Sequence, residues 1–181
     1  MKRSLFIGRF QPFHLGHLSV VEEMQSEEFD EIIVGIGSAQ YNYVAGNPFT
    51  ADERSRMVCK SVKSVKKMHV IPVDDVHDDA KWVEWTESLC PSFDTVFTGN
   101  DWVKRLFEEK GYDARPVTKK HAISATAIRK LMLNRGRWEE LVPTETIKVI
   151  REIDGVKRLK LINYGLPRPP TFLAAPQAAQ M

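Results

Sequence analysis

The chain has 181 residues, 43% of them hydrophobic and 28% charged, the size and mixture of one globular domain. These proportions exclude disorder over most of the length, and they exclude collagen-like or coiled-coil character. Lys and Arg number 26 against 24 Asp and Glu, so a net charge of +2 gives no whole-molecule field that would gather nucleic acid or an anionic membrane. A local basic cluster can still hold a small polyanion.

Taken in chain order, short apolar runs alternate with amphipathic segments. The spacing predicts strands over 4–8, 31–37, 69–73, 95–99 and 114–117, and helices over 16–25, 51–64, 79–89 and 101–110. Thr50 and Glu53 have the spacing of a capping box. Gly111 stands where a helix C′ glycine belongs. Five short apolar strands separated by helices imply an α/β fold, a Rossmann-like parallel sheet with both faces covered.

After the fifth run the pattern turns helical. A helix is expected over 124–135 and ended by Gly136, a short turn over 138–142 before Pro143, a helix over 145–153 followed by Gly155, and a basic segment over 156–162. The expected organisation is one domain over 1–165, with its core in 1–135 and a helical extension in 136–165. Residues 166–181 hold four of the ten prolines and no acidic residue, and read as a flexible tail. Cys59 and Cys90 are too few for a disulfide framework and read as packed thiols. The apolar stretch Leu5-Phe6-Ile7 is too short for a signal peptide, and no window suits a membrane span, so a cytosolic protein is expected.

The most informative stretch is Gly8-Arg9-Phe10-Gln11-Pro12-Phe13-His14-Leu15-Gly16-His17. It joins the first strand to the first helix at the carboxyl edge of the expected sheet, where an α/β fold binds its ligand. A helix N-terminus offers free N–H groups and a partial positive charge, both suited to phosphate. His14 and His17 lie on one side of the first turn, and Gly16 lets the backbone come close. A His-x-x-His at a helix start also serves as a cap or as surface chemistry, and a metal would need two further ligands.

A second constellation is Ile123-Ser124-Ala125-Thr126-Ala127-Ile128-Arg129. Ser124 is placed to cap the helix, Thr126 sits in its first turn, and Arg129 presents a planar fork that suits phosphate. Lys119, Lys120 and Lys130 add positive potential nearby. A well-capped helix with a solvated basic face has the same appearance. Together the two stretches supply two helix N-termini that can hold the two ends of a triphosphate.

A glycine-ended strand followed by His-x-Gly-His, with a later Ile-Ser-x-Thr-x-Ile-Arg, resembles the nucleotidyltransferase superfamily. Gly35-Ile36-Gly37-Ser38-Ala39-Gln40 and Asn47-Pro48-Phe49-Thr50-Ala51-Asp52-Glu53-Arg54 narrow the likeness to the archaeal-type nicotinamide-nucleotide adenylyltransferases, over about residues 2–161. The resemblance implies transfer of AMP from ATP to nicotinamide mononucleotide (NMN), giving NAD and pyrophosphate. It implies that His14, His17, Arg9 and Arg129 act on the phosphates, and that Gly8, Phe10, Gly16, Ser124 and Thr126 complete the ATP site. It places Ser38, Trp82, Gly99 and Asn100 near NMN, with Trp82 either stacking on the nicotinamide ring or packing in the core. Mg2+ or another divalent cation would come with ATP, with no metal ligands from the protein. A ring-like homo-oligomer is also implied, a hexamer being one candidate, with no nucleic-acid or membrane partner.

Three segments depart from the family pattern. Residues 41–46 read Tyr-Asn-Tyr-Val-Ala-Gly where relatives often carry a Ser-His pair, Ala125 stands where Gly or a hydroxyl residue is usual, and 98–102 read Thr-Gly-Asn-Asp-Trp. Alternatives are the same transfer to phosphopantetheine, FMN or nicotinic acid mononucleotide, a nucleotide sensor without turnover, and an RNA-binding role for Lys63, Lys66, Lys67 and the basic 157–160 stretch. The near-neutral charge and the lack of an aromatic RNA-reading motif weigh against the last. No Gly-x-x-x-x-Gly-Lys-Ser/Thr loop occurs, and Gly35-Ile36-Gly37 lacks the third glycine of a dinucleotide fingerprint.

Overall fold

The computed structural model describes residues 1–63, 66–76, 78–117 and 123–165. The expected tail at 166–181, the pair Lys119-Lys120 and the end of the helix expected over 51–64 lie outside these residues. Five strands, β1 (Arg3–Gly8), β2 (Glu31–Ile36), β3 (Lys67–Pro72), β4 (Thr95–Thr98) and β5 (Asp113–Pro116), alternate with helices α1 (Leu15–Ser26), α2 (Ala51–Ser61), α3 (Asp79–Leu89) and α4 (Asp101–Glu109). Then come α5 (Ala125–Leu133), a 3-10 turn (Trp138–Leu141), α6 (Thr144–Glu152) and α7 (Gly155–Tyr164).

All strand pairs are parallel, in the order β3-β2-β1-β4-β5. The central strands are apolar on both faces, because helices cover both. Side chains alternate accordingly. Leu5, Ile7, Ile33 and Val96 face a core shared with Trp82, Val83, Val103 and Phe107 of α3 and α4. Phe6, Ile32 and Val34 face the opposite core, which α1, α2 and the C-terminal helices close. Chain order reverses between β1 and β4, so the loops after these strands leave toward opposite faces and open a crevice between them.

The expected end signals are used. The Thr50 hydroxyl accepts from the Glu53 N–H at 3.2 Å, and the Glu53 carboxylate accepts from the Thr50 N–H at 2.9 Å. Gly111, at φ +87°, closes α4 with its N–H donating to the Glu108 carbonyl at 2.9 Å. Two signals work differently from expectation. Helix α5 ends before Gly136, where Arg135 takes φ +55°. Likewise Asp154, at φ +52°, makes the turn out of α6, while Gly155 opens α7. Gly155 is there for space, since a Cβ would come within 2.9 Å of the Phe49 ring. The basic 156–162 segment lies within α7, which packs on α5 and α6. Its Arg158 makes a two-pronged, nearly buried ion pair with Glu53, at 2.6 and 2.8 Å, tying the extension to the start of α2.

Candidate active site

The crevice at the β1–β4 junction is a cavity of about 930 Å3. Of the expected residues, Gly8, Arg9, Phe10, His14, Gly16, His17, Ser38, Trp82, Gly99, Asn100, Ser124, Thr126 and Arg129 all line it. Among the described residues, no group of three or more His, Cys, Asp or Glu is arranged to hold a metal ion.

The two histidines form one device. His14 is the N-cap of α1, and its Nδ1 accepts from the His17 N–H at 3.3 Å. In return the His17 Nδ1 accepts from the His14 N–H at 3.2 Å. Each imidazole plays a part that a hydroxyl and a carboxylate play in an ordinary capping box. An acceptor Nδ1 has no proton, so the hydrogen-bond network assigns the proton of each neutral ring to Nε2. The rings stack at 3.5 Å between centroids, 18° apart, and the Phe13 ring also stacks on His17, at 5.7 Å and 26°. Burial lowers His14 to about 4; burial first, and then the neighbouring His14, hold His17 well below its ordinary 6.5. Both rings are therefore neutral donors at pH 7. Gly16 is required here because a Cβ would stand 3.1 Å from the His14 ring.

Phe10 is buried, and its ring packs edge-on to His17 at 4.8 Å, so it supports the imidazole from below. Its backbone, at φ +51°, turns the chain into a loop that includes the cis Gln11–Pro12 bond. The Gln11 side chain pairs with the Phe49 backbone in both directions, at 2.9 and 3.0 Å.

Helix α5 presents its start to the same loop. Ser124 Oγ accepts from the Ala127 N–H at 3.1 Å. Arg129 donates to the Gln11 carbonyl at 2.8 Å and to the Thr126 hydroxyl at 3.3 Å, which fixes its fork beside the histidine loop. Burial and then the charge of Arg9 push Arg129 below its ordinary value. Two cations crowded together this way leave the pair short of negative charge.

The NMN-side residues are placed less uniformly. Asn100 Oδ1 caps α4, accepting from the Trp102 N–H at 3.0 Å. A Cβ at Gly99 would come within 3.2 Å of Val117. Trp82 is only 4% exposed and belongs to the core under α3 and α4, with Trp102 at 5.9 Å and Phe107 at 5.8 Å; part of it still borders the cavity.

A cytidylyltransferase-like family model matches residues 5–162. A nicotinamide-nucleotide adenylyltransferase of Methanococcus aeolicus is 49% identical over 164 residues, covering 89% of this chain and 95% of the relative. One from Thermococcus kodakarensis is 43% identical over 182 residues, covering 97% and 96%. The chain belongs to the cytidylyltransferase-like family, among its nicotinamide-nucleotide adenylyltransferases. The fold agrees: a bifunctional NMN adenylyltransferase/ADP ribose pyrophosphatase from Francisella tularensis superposes with a TM-score of 0.73 at 21% identity, over 97% of this chain and 57% of that one. This chain thus spans a little over half of the Francisella protein. A nicotinic acid mononucleotide adenylyltransferase of Plasmodium falciparum superposes with a TM-score of 0.59 at 13% identity, over 86% and 97%.

Arg54, which the sequence marks only as the end of the 47–54 string and without a role, is a central support of this site. Its side chain is fully buried at the start of α2. It donates to the carbonyls of Arg9 at 2.9 Å, Gly37 at 2.7 Å, Ser38 at 3.2 Å and Thr50 at 3.1 Å. Burial, its main perturbation, pushes it down to about 10. One guanidinium thus joins the loops after β1 and β2, and holds Ser38 at φ +51°.

Proposed function

We propose that the protein is a nicotinamide-nucleotide adenylyltransferase in which the His14–His17 pair and the Arg129 turn grip ATP. The carrying observation is the pair of reciprocal caps, which turn both imidazoles into fixed neutral Nε2–H donors on a cavity that also holds Arg9 and Arg129.

The reaction is ATP plus NMN to NAD plus pyrophosphate. A phosphate oxygen of NMN attacks the α-phosphorus in line; the new P–O bond forms as the bond to the bridging oxygen of the β-phosphate breaks, and pyrophosphate leaves. The nucleophile is already ionised, so no protein base is needed, and catalysis consists of positioning and charge stabilisation. His17 would donate to the α-phosphate, His14 to the neighbouring phosphate, and Ser124, Thr126 and Arg129 would hold the β- and γ-phosphates. Arg9 is the second cation for the charge that develops on the leaving group. A neutral donor suits this task, because its proton stays in place while charge moves along the phosphate chain. Mg2+ or another divalent cation would come with ATP as part of the substrate and would supply charge neutralisation for the leaving pyrophosphate.

The reading also includes a homo-oligomer working in the cytoplasm. Among the described residues no helix is long and apolar enough to cross a membrane. Exposed Trp85 and Leu89 on α3 are apolar groups that an interface would cover, and sedimentation reads the assembly. The deciding assay follows pyrophosphate and dinucleotide together from MgATP and NMN. The two should appear in equal amounts. Nucleotide binding without either product would make the protein a sensor.

A further inference from the structure

The cavity has two electrically different walls. One, from the β1–α1 loop, the start of α1 and α5, carries Arg9, Arg129 and the two neutral imidazoles; the other, from α3, α4 and the segment after β3, carries Asp75 and Asp101 beside Trp82 and Trp102. Asp75 is firmly held. Its Oδ2 accepts from the Ser38 hydroxyl at 2.6 Å. Its backbone is clasped by Gln40, whose Nε2 donates to the Asp75 carbonyl at 2.8 Å and whose Oε1 accepts from the Asp75 N–H at 2.9 Å. The Ser38 carbonyl is in turn bound by the buried Arg54. The carboxylate cannot leave the cavity wall without breaking these contacts.

We propose that Asp75 is a specificity-determining residue. It selects a pyridinium nucleotide whose ring substituent is neutral over the same nucleotide bearing a ring carboxylate. This rests on the adenylyl-transfer reading. The triphosphate takes the cationic wall, and the acceptor's phosphate must meet it there, so the acceptor's ring points toward the opposite wall. A pyridinium with a neutral amide finds aromatic surface and a carboxylate, both favourable to positive charge. A nicotinate ring adds a negative charge beside Asp75 in a crevice of low effective dielectric, where like charges repel more strongly than in water. Asp101, exposed in the first turn of α4, acts in the same sense but is screened by solvent.

The test compares kcat/KM for NMN and for nicotinic acid mononucleotide at saturating MgATP, in the wild-type protein and in Asp75→Asn. Asparagine keeps an oxygen for the Ser38 hydroxyl and removes only the charge. The wild type should prefer NMN, and Asp75→Asn should shift the ratio toward nicotinic acid mononucleotide by about tenfold, an effect that shrinks as salt is added. The KM for ATP should stay within about twofold, since Asp75 lies off the cationic wall. An equal loss on both acceptors would show that Asp75 only braces the loop, and an unchanged ratio would show that its charge is not felt; either overturns the proposal. Failure of the wild type to form a dinucleotide from either acceptor overturns the adenylyl-transfer reading as well, so the two failures are told apart.

Discussion

The two ends of the sheet treat charge in opposite ways. At the amino end, Glu31 opens β2 with its carboxylate against Arg3 at 2.6 Å, Lys67 at 3.1 Å and His69 at 3.1 Å. The Arg3 hydrogen bond, then those of Lys67 and His69, hold it down at about 2. At the carboxyl end Arg9 crowds Arg129, and two imidazoles are stacked and kept neutral by burial. Phe10 and Ser38 there take positive φ. One end matches its charges and holds the fold together. At the other end the wall with Arg9 and Arg129 is left short of negative charge, which a polyanion would supply, while Asp75 and Asp101 stand apart on the facing wall. The same contrast orders the experiments that would break it.

The largest effect is expected from Arg54, the group that holds the carboxyl-end loops in their strained form. Arg54→Met leaves the Arg9 and Gly37 carbonyls without their donor in a buried place, while the Thr50 and Ser38 carbonyls keep the backbone N–H groups of residue 54 and Tyr41. It should cost about 3 kcal/mol or more of stability and lower activity even where the protein remains folded. Urea denaturation alongside kcat, measured well below the unfolding midpoint, separates the two losses. Arg54→Lys restores a charge but cannot reach all the carbonyls at once, and should recover stability more than turnover. Full turnover in either variant would show that the loops keep their form without the clamp.

Arg54 also marks where the sequence stopped being legible. Strand and helix order, the Thr50–Glu53 box and the Gly111 turn follow from local rules that four or five neighbouring residues obey. Arg54 looks like any polar residue on an exposed helix, because its acceptors lie on Arg9, Gly37 and Ser38, far away in the chain. The histidines were legible as a pair at a helix start, but not as reciprocal caps, since histidine is a rare cap; the two Nδ1 hydrogen bonds fix the tautomer, and the rings of Phe10 and Phe13 packed on His17 hold it in place. Asp154 and Gly155 were legible as a break between helices. Which of the two bends the backbone and which makes room was decided by Phe49, about a hundred residues earlier.

Next in size is His17→Ala, which removes a donor from the α-phosphate and should lower kcat by about 10²-fold or more. The KM for NMN should change little, because the loss falls on the transition state. His17→Asn tests the tautomer argument. An asparagine side chain can still accept from the His14 N–H, so α1 should keep its cap while the Nε2–H donor is gone. Catalysis close to wild type in both variants would take His17 out of the mechanism.

Acid should then separate the two ends of the sheet. His14 is neutral in the folded protein down to about 4, but in the unfolded chain it takes up a proton near 6.5. Between these values the unfolded state holds more protons, so stability falls as the pH is lowered through this window, by on the order of 3 kcal/mol for His14 alone. His17 acts in the same direction. A pH series of denaturation midpoints reads the slope, and His14→Asn should flatten it. Saturating ATP should flatten it too, because bound phosphates favour the protonated rings and stabilise the folded state.

The smallest effect belongs to the amino end, and it must fall on stability alone. Glu31 has a folded value of about 2 against an ordinary 4.5, so the stability it gives is complete above 4.5 and is lost as the pH falls toward 2, a window below that of the histidines. Glu31→Gln should remove this lower limb and leave the upper one intact. At neutral pH it leaves Arg3 and Lys67 facing each other without their shared carboxylate, and should lower the unfolding temperature by a few degrees. Turnover should be unchanged, since Glu31 lies at the far end of a six-residue strand from the cavity. A fall in kcat for Glu31→Gln at a temperature where the variant is folded would mean that the two ends of the sheet are coupled, and that the site's electrostatics cannot be treated apart from the ion pairs that stabilise the fold.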